Sequence, residues 1–103
     1  MDLTEQQVRA IQEWAGGTGV IEAVRLFGSR AKGCARPDSD VDLAITTGVG
    51  HYIALADQWE AELSIALGLT VKLAQYNAAK GIVRSYCDAF SVILFREHGG
   101  VAY

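Results

Sequence analysis

Residues 28–43 have the sequence GSRAKGCARPDSDVDL, in which a glycine-serine pair is followed by two closely spaced aspartates. Upstream, residues 20–27 are rich in apolar and β-branched side chains, a composition typical of a strand. A short helix is predicted for residues 30–33 and a polar connection for residues 34–39. The alternation of residue types over 40–45 predicts a second strand with two distinct faces.

Gly28 and Ser29 separate the first predicted strand from the short helix. A helix start offers free backbone amides and the positive end of the helix dipole, which together favour a bound anion. Gly28 lets a phosphate approach the backbone closely, and Ser29 adds a hydroxyl donor. The same pair is also common as a plain turn and cap, and this plain interpretation is favoured for the turn considered alone.

Asp40 and Asp42 lie two residues apart on the second predicted strand, so both side chains leave the same face. Val41 and Leu43 then point towards the core. Two carboxylates on one face repel each other, and a cation between them relieves the repulsion. Oxygen ligands favour Mg²⁺ or Mn²⁺. The alternative is a solvent-exposed strand face on which acidic residues are harmless, although aspartate is depleted in strands.

The combined pattern from Gly28 to Asp42 is G-S-x10-D-x-D. It resembles the signature of the nucleotidyltransferase superfamily related to DNA polymerase β. More closely, it is similar to the minimal nucleotidyltransferases, small prokaryotic proteins that are often encoded beside a helical HEPN-domain partner as a toxin-antitoxin pair.

This resemblance implies a role for each part of the motif. The turn at Gly28 and Ser29 would hold a triphosphate, and Asp40 and Asp42 would bind two divalent ions, with Asp42 as the bridging ligand. A hydroxyl of an acceptor would attack the α-phosphate, pyrophosphate would leave, and a nucleoside monophosphate, AMP from ATP in the first instance, would be transferred. Two metal ions can stabilise the attacking and leaving oxygens together.

Three basic residues near the motif are candidates for phosphate contacts. Arg30 and Lys32 lie at the start of the predicted short helix, where solvated helix charges are an equally good interpretation. Arg36 belongs to the connecting loop, which the sequence does not place.

The chain departs from the family pattern at Lys72. Family members usually carry a third carboxylate on the next strand, in a setting like V-D-L, and this chain has Val71-Lys72-Leu73. A protonated lysine cannot bind Mg²⁺. One hypothesis is that its ammonium pairs with Asp40 or Asp42 and replaces a metal ion's charge. The alternatives are a different alignment, or a lysine directed to solvent at a sheet edge.

The rest of the sequence predicts further helices and strands around this motif. Thr4 and Gln7 have capping-box spacing at the start of a helix that Gly16 and Gly17 end. The other predicted elements are a helix over 52–67 with Ile53, Ala56, Trp59, Leu63 and Ala66 on one face, a strand over 70–75, a helix over 77–88 capped by Asn77, and a strand over 90–95. This order predicts one nucleotidyltransferase domain over 1–103, an α/β (α+β) fold with a small mixed sheet covered by helices.

Composition narrows the function classes. The chain has 103 residues and a net charge of -3, with a pI of about 5.2, which disfavours binding to long nucleic acid. Its two cysteines have no zinc-site spacing, so a reducing cytoplasm is the simplest location. A polar, acidic N-terminus and the lack of a long apolar run predict neither a signal peptide nor a membrane span.

Two functions follow from these features. The first is an enzyme whose acceptor is supplied by a partner protein, since some family members modify a tyrosine on the HEPN toxin that they neutralise. The second is a catalytically impaired antitoxin or binding module that acts by complex formation, which Lys72 favours. A homo-oligomer is compatible with either function.

Overall fold

The computed structural model describes residues 1–78, 85 and 87–97, which form a sheet with helices packed against it. The elements in chain order are α1 (Glu5–Thr18), β1 (Ile21–Phe27), α2 (Gly28–Lys32), β2 (Val41–Thr47), α3 (Tyr52–Leu67), β3 (Val71–Gln75), a 3-10 helix (Tyr76–Ala78) and β4 (Val92–Arg96). The predicted fold class, a small mixed sheet with helices, is confirmed. Within the described residues, none of the helices combines the length and the apolar character that a membrane crossing requires.

The four strands lie side by side in the order β3-β2-β1-β4. β1 runs antiparallel to both β2 and β4, and β2 runs parallel to β3. A parallel pair needs a crossover connection, and α3 provides it. β1 and β2 therefore occupy the centre of the sheet, and the Gly28 turn follows directly from one of these central strands.

One face of the sheet packs against α1 and α3. The residues that meet there are buried and come from both helices and the three first strands: Val8, Ile11, Ala15, Trp59, Leu63, Val24, Leu26, Leu43, Ile45 and Val71. Because partners in register share a face, the opposite face carries a row formed by Phe27, Asp42 and Lys72. The core and the candidate site thus lie on opposite faces of the same strands.

Helix α1 begins as predicted and ends later than predicted. Thr4 is the N-cap, and its side chain and that of Gln7 form both bonds of the capping box. The prediction that Gly16 and Gly17 end the helix is wrong, because α1 continues to Thr18 and ends at Gly19, whose φ is 72°. Ala15 is buried, and this packing holds the last turn together despite the two helical glycines.

Helix α3 has the predicted limits, and Gly68 ends it with a φ of 69°. The predicted buried face is wrong in part, since Ile53 is 88% exposed and Ala66 is exposed. Tyr52 and Leu67 are buried in their place. The helix carries apolar residues all round, so its sequence does not define the edges of the side that packs on the sheet. Trp59 and Leu63 are buried as predicted, and Tyr52 and Leu67 complete the same face.

Two side chains of α3 bind the backbone of the edge strand β3. The amide of Val71 donates to Ser64 Oγ at 3.0 Å, and the amide of Leu73 donates to Glu60 Oε2 at 2.7 Å. Both donors point away from β2 in the parallel register. These contacts hold β3 in place, and with it the position of Lys72 beside β2.

The predicted helix over 77–88 is described only in part. Asn77 lies within the 3-10 helix, where its side-chain nitrogen donates to the Thr47 carbonyl at 2.9 Å and its Oδ1 accepts from the Thr47 amide at 3.4 Å. The amides that it was predicted to cap belong to residues outside the described part of the chain. Residues 79–84 and 86 lie outside the described residues, and 85 and 87–89 are helical. The last strand runs from Val92 to Arg96, against a prediction of 90–95.

Tyr52 has a buried hydroxyl that finds no hydrogen-bond partner among the described residues. Its ring packs edge-on against Trp59, with 6.0 Å between the ring centroids. Burial, and then the negative charge of Glu60, raise the pKa of Tyr52 to about 12 from its ordinary 10.0. The Tyr52 ring therefore stabilises the folded core, whereas burial of its hydroxyl destabilises it.

We expect Tyr52→Phe to leave the free energy of unfolding unchanged at neutral pH or to raise it by up to about 1 kcal/mol, because an unpaired buried hydroxyl is removed. Folded Tyr52 keeps its proton above pH 10, so wild-type stability falls as pH rises from 10 to about 12, and the variant lacks this loss. Urea denaturation at neutral and high pH measures both effects.

Tyr76→Phe is the matched control, because the Tyr76 hydroxyl donates to Asp88 Oδ1 at 2.8 Å. Its loss costs about 1 kcal/mol. A Tyr52→Phe variant that is destabilised as much as Tyr76→Phe would contradict the assignment of an unpaired hydroxyl.

Candidate functional site

The Asp42 carboxylate lies directly against the backbone of Gly28, where β1 turns into α2. Gly28 has a φ of +76°, and a Cβ placed on it would lie 2.5 Å from Asp42 Oδ2 and 3.3 Å from Asp42 Cγ. Phe27, the residue before Gly28, is the register partner of Asp42, and this pairing brings the two together. Only glycine satisfies both the backbone angle and the space at this position.

Asp40 and Asp42 interact through their charges. Asp42 is half-buried, and its pKa is raised by burial and then by the negative charge of Asp40, while the positive charge of Lys72 lowers it. Asp40 is exposed and immediately precedes β2. The ionised form of Asp42 is thus opposed by its surroundings, and a cation at this pair would stabilise it.

Lys72 lies directly beside Asp42. The two residues are register partners in the parallel pair of β2 and β3, so their side chains share a face at the same level. Lys72 is exposed, and no ion pair joins it to either aspartate among the described residues, so the hypothesised ion pair is not formed in this structure. Its charge nevertheless reaches Asp42. Gln75 is in register with Ile45 on the opposite face, as its offset predicts.

Arg30 has a role that the sequence did not reveal. The side chain is only 7% exposed. Its guanidinium donates to the carbonyls of Asp2 at 2.9 Å, Ser39 at 2.9 and 3.1 Å, Pro37 at 3.2 Å and Arg36 at 3.4 Å. The prediction of a solvated charge is wrong, and carbonyls take the donors that were expected to meet phosphate. Arg30 positions the loop that leads into β2.

The N-terminal segment belongs to the same network. The Asp2 amide donates to the Arg30 carbonyl at 2.7 Å, and Asp2 Oδ2 accepts from the Ala35 amide at 2.9 Å. The loop between α2 and β2 is therefore held from two sides. Arg30 and Ala35 lie 28 and 33 positions after Asp2 in the chain, so no short-range sequence signal links them to Asp2.

The remaining candidates for nucleotide contact lie around the Gly28 turn. Ser29 follows Gly28 and is half-buried, and its hydroxyl has no hydrogen-bond partner among the described residues. Lys32 and Arg36 are exposed. The structure thus brings Gly28, Ser29 and Asp42 together and leaves two basic side chains in solvent near them in sequence.

Asp40 and Asp42 are the residues of this site that could hold a hard divalent cation. Mg²⁺ is commonly held by one or two carboxylates together with substrate phosphates, and the raised pKa of Asp42 indicates a site that gains from added positive charge. Among the described residues, no group of three or more histidine, cysteine, aspartate or glutamate side chains could hold a metal ion. Any further ligands would have to come from a bound substrate or from water.

Comparison with known proteins gives the family. The family model of polymerase beta nucleotidyltransferases matches residues 9–98. The chain belongs to this family. Its predicted membership is thereby confirmed, although a comparison with curated proteins by sequence gives no significant match.

Solved structures share the nucleotidyltransferase fold. A toxin-antitoxin with AMP-PNP has a TM-score of 0.75 and 19% identity, covering 86% of this chain and 73% of that one. A tri-AMPylated Shewanella oneidensis HEPN toxin in complex with its MNT antitoxin gives 0.68 and 16%, with 89% and 71% covered. A chain described as a minimal nucleotidyltransferase gives 0.67 and 24%, with 88% and 96% covered. Because the identities are below 25%, these structural similarities establish the shared fold alone.

We expect Gly28→Ala to destabilise this nucleotidyltransferase by about 2 to 3 kcal/mol, from backbone strain and displacement of Asp42. Gly33→Ala is the matched control: its φ is also +76°, but its nearest atom, the Met1 nitrogen, lies 3.8 Å away. Gly33→Ala should lower the free energy of unfolding by about 1 kcal/mol, from backbone strain alone.

A double-mutant cycle measures the contact itself. In an Asp42→Ala background, Gly28→Ala should lose its additional cost, with a coupling energy of about 1 to 2 kcal/mol, whereas Gly33→Ala and Asp42→Ala should be additive. Additivity for Gly28 as well would show that the carboxylate does not need the glycine. Chemical denaturation of the five variants and wild type gives all the values.

We expect Arg30→Lys to lower the free energy of unfolding by about 2 to 3 kcal/mol, because an ammonium cannot reproduce the planar set of bonds from a buried side chain to four backbone carbonyls. Lys32→Ala, an exposed change on the same short helix, should stay within about 0.5 kcal/mol of wild type. Equal stability of Arg30→Lys and wild type in urea would exclude a positioning role for Arg30.

Proposed function

We propose that the chain transfers a nucleoside monophosphate, AMP from ATP, to an acceptor hydroxyl, with Mg²⁺ or Mn²⁺ as cofactor. The observation that carries this proposal is the contact between the Asp42 carboxylate and Gly28, which joins an acidic pair to a glycine-serine turn. In a polymerase beta nucleotidyltransferase, this juxtaposition suits a triphosphate on the turn with its charge balanced at the aspartates.

The chain's own groups would bind and orient the nucleotide. Gly28 presents backbone without a Cβ, so a phosphate can approach closely, and the free Ser29 hydroxyl can donate to it. Lys32 and Arg36 are exposed cations from the same segment that would supply positive charge to the triphosphate. Arg30 would act indirectly, by holding the loop in front of β2.

Asp40 and Asp42 would hold the metal ion. When bound, the ion supplies positive charge to the phosphate oxygens as negative charge develops there. The acceptor oxygen forms a bond to the α-phosphorus and gives up its proton, and the bond from that phosphorus to the pyrophosphate oxygen breaks. The protein contributes mainly position and charge.

We further infer that the acceptor belongs to a partner protein of the HEPN type and that the chain acts as the antitoxin of such a pair. Support comes from fold neighbours, among them a HEPN toxin carrying AMP groups in complex with an MNT antitoxin. Cys34 and Cys87 form no disulfide, which agrees with the proposed cytoplasmic location.

The alternative is a module that binds a partner, with or without a nucleotide, and does not turn over. Lys72 favours it, because a lysine stands beside Asp42 where the family usually has a carboxylate. The like-charged pair of Asp40 and Asp42 favours the enzyme, since keeping two interacting carboxylates is costly for a purely structural site.

A labelling assay separates the two functions. The protein is incubated with ATP labelled at the α-phosphate, Mg²⁺ and a purified HEPN-domain protein, and label on that protein is measured. We expect transfer by wild type, a loss of at least about 100-fold in Asp42→Asn, and no change in Asp57→Asn, an exposed acid on α3. A stable complex without label would support the module, whereas the absence of both label and complex would contradict both functions.

A further inference from the structure

We propose that this site binds a single divalent cation with its nucleotide, because Lys72 stands beside Asp42 where a ligand for a second cation would be needed. The proposal rests on the proposed nucleotide-binding function and adds a metal count and a role for Lys72. It concerns the row of register partners formed by Phe27, Asp42 and Lys72 on the sheet face opposite the core.

The first argument is the number of oxygen ligands. On either side of Asp42, its register partners are an aromatic ring and a lysine. The next row on the same face consists of Arg25, Ala44 and Ala74, none of which can ligate a cation through its side chain. In the part of the chain that the structure describes, no third histidine, cysteine, aspartate or glutamate joins Asp40 and Asp42 in a group that could hold a metal ion. Two carboxylates with phosphate oxygens are sufficient for one Mg²⁺.

The second argument is space. Paired metal ions in phosphoryl-transfer sites lie about 3.5 to 4 Å apart and share a bridging carboxylate, so both would crowd around Asp42. Neighbouring strands are about 4.8 Å apart, and Lys72 is the direct neighbour of Asp42 across that gap. The second ion would therefore have to lie against the lysine stem and its charge.

The third argument is charge. As the register partner of Asp42, Lys72 carries its positive charge on the same face and at the same level of the sheet. An ammonium at this position repels a dication, so a second ion would bind less well there than beside a neutral or acidic side chain. Lys72 is accordingly a positioning residue that fixes the charge of the site and does not ligate.

The test counts metal ions on the intact chain. Wild type is loaded with Mn²⁺ and the α,β-methylene analogue of ATP, and ions per chain are measured by native mass spectrometry. Electron paramagnetic resonance reports whether two Mn²⁺ ions are coupled, as they would be at the short separation of a paired site. We expect one Mn²⁺ and an uncoupled spectrum for wild type, and two Mn²⁺ ions with a coupled spectrum for Lys72→Asp.

Two control variants separate ligand from charge. Lys72→Met removes the ammonium without adding an oxygen, and Gln75→Asp adds a carboxylate to the same strand on the opposite face. Both should retain one ion. The affinity of Lys72→Asp for the second ion should exceed that of Lys72→Met by at least about tenfold, because only a carboxylate completes the site.

Two paired ions on wild type would overturn the proposal, and so would a single ion on Lys72→Asp that remains folded and binds the analogue. Both results leave nucleotide binding intact, so the proposed function would stand. If wild type binds neither the analogue nor Mn²⁺ added with the analogue, the result overturns the proposed function and the metal count with it.

Discussion

The Asp42 carboxylate can lie where it does only because Gly28 has no side chain. The two residues are brought together by the antiparallel pairing of the central strands, in which Phe27 faces Asp42 across the ladder. The same pairing buries Leu26 and Leu43 on the other face, so a shift in register would disrupt the core as well as the site. Core packing and site geometry are therefore set by one set of backbone hydrogen bonds.

The loop between α2 and β2 shows a second way of holding a polar site in place. Arg30 is buried with its charge, which is costly unless its donors are satisfied, and the backbone carbonyls of this loop satisfy them. The loop has no regular hydrogen-bonding ladder of its own. The planar guanidinium of Arg30 donates to the carbonyls of the loop, and the Asp2 carboxylate accepts from the Ala35 amide on the N-terminal side.

Much of this arrangement was accessible from the sequence. The family resemblance of residues 28–43 predicted that the Gly28 turn and Asp42 serve one site, and that Lys72 stands at the position of the usual third carboxylate on the next strand. In the structure, Lys72 lies beside Asp42 as its register partner. The part that was missed depends on contacts between distant segments. Whether Arg30 faces solvent or carbonyls is decided by how a loop without periodicity folds, and its local sequence carries no signal of that.

For helix α3, the prediction of the buried face failed in part for a different physical reason. Its limits were correct because Gly68 adopts the left-handed conformation that ends a helix. Its buried face was partly wrong because Ile53 and Tyr52 are both apolar enough to pack, and intrinsic periodicity does not choose between them. The choice is made by the sheet and by Trp59, whose ring meets both Tyr52 and Trp14.

The bonds from Ser64 and Glu60 to β3 have a consequence for how molecules of this protein meet one another. An edge strand with free amides is a template on which a strand of another molecule can add, and such addition leads to ordered aggregates. At β3 the amides of Val71 and Leu73 are already engaged within the same molecule. A foreign strand would first have to displace a hydroxyl and a carboxylate, so this side of the sheet resists polymerisation.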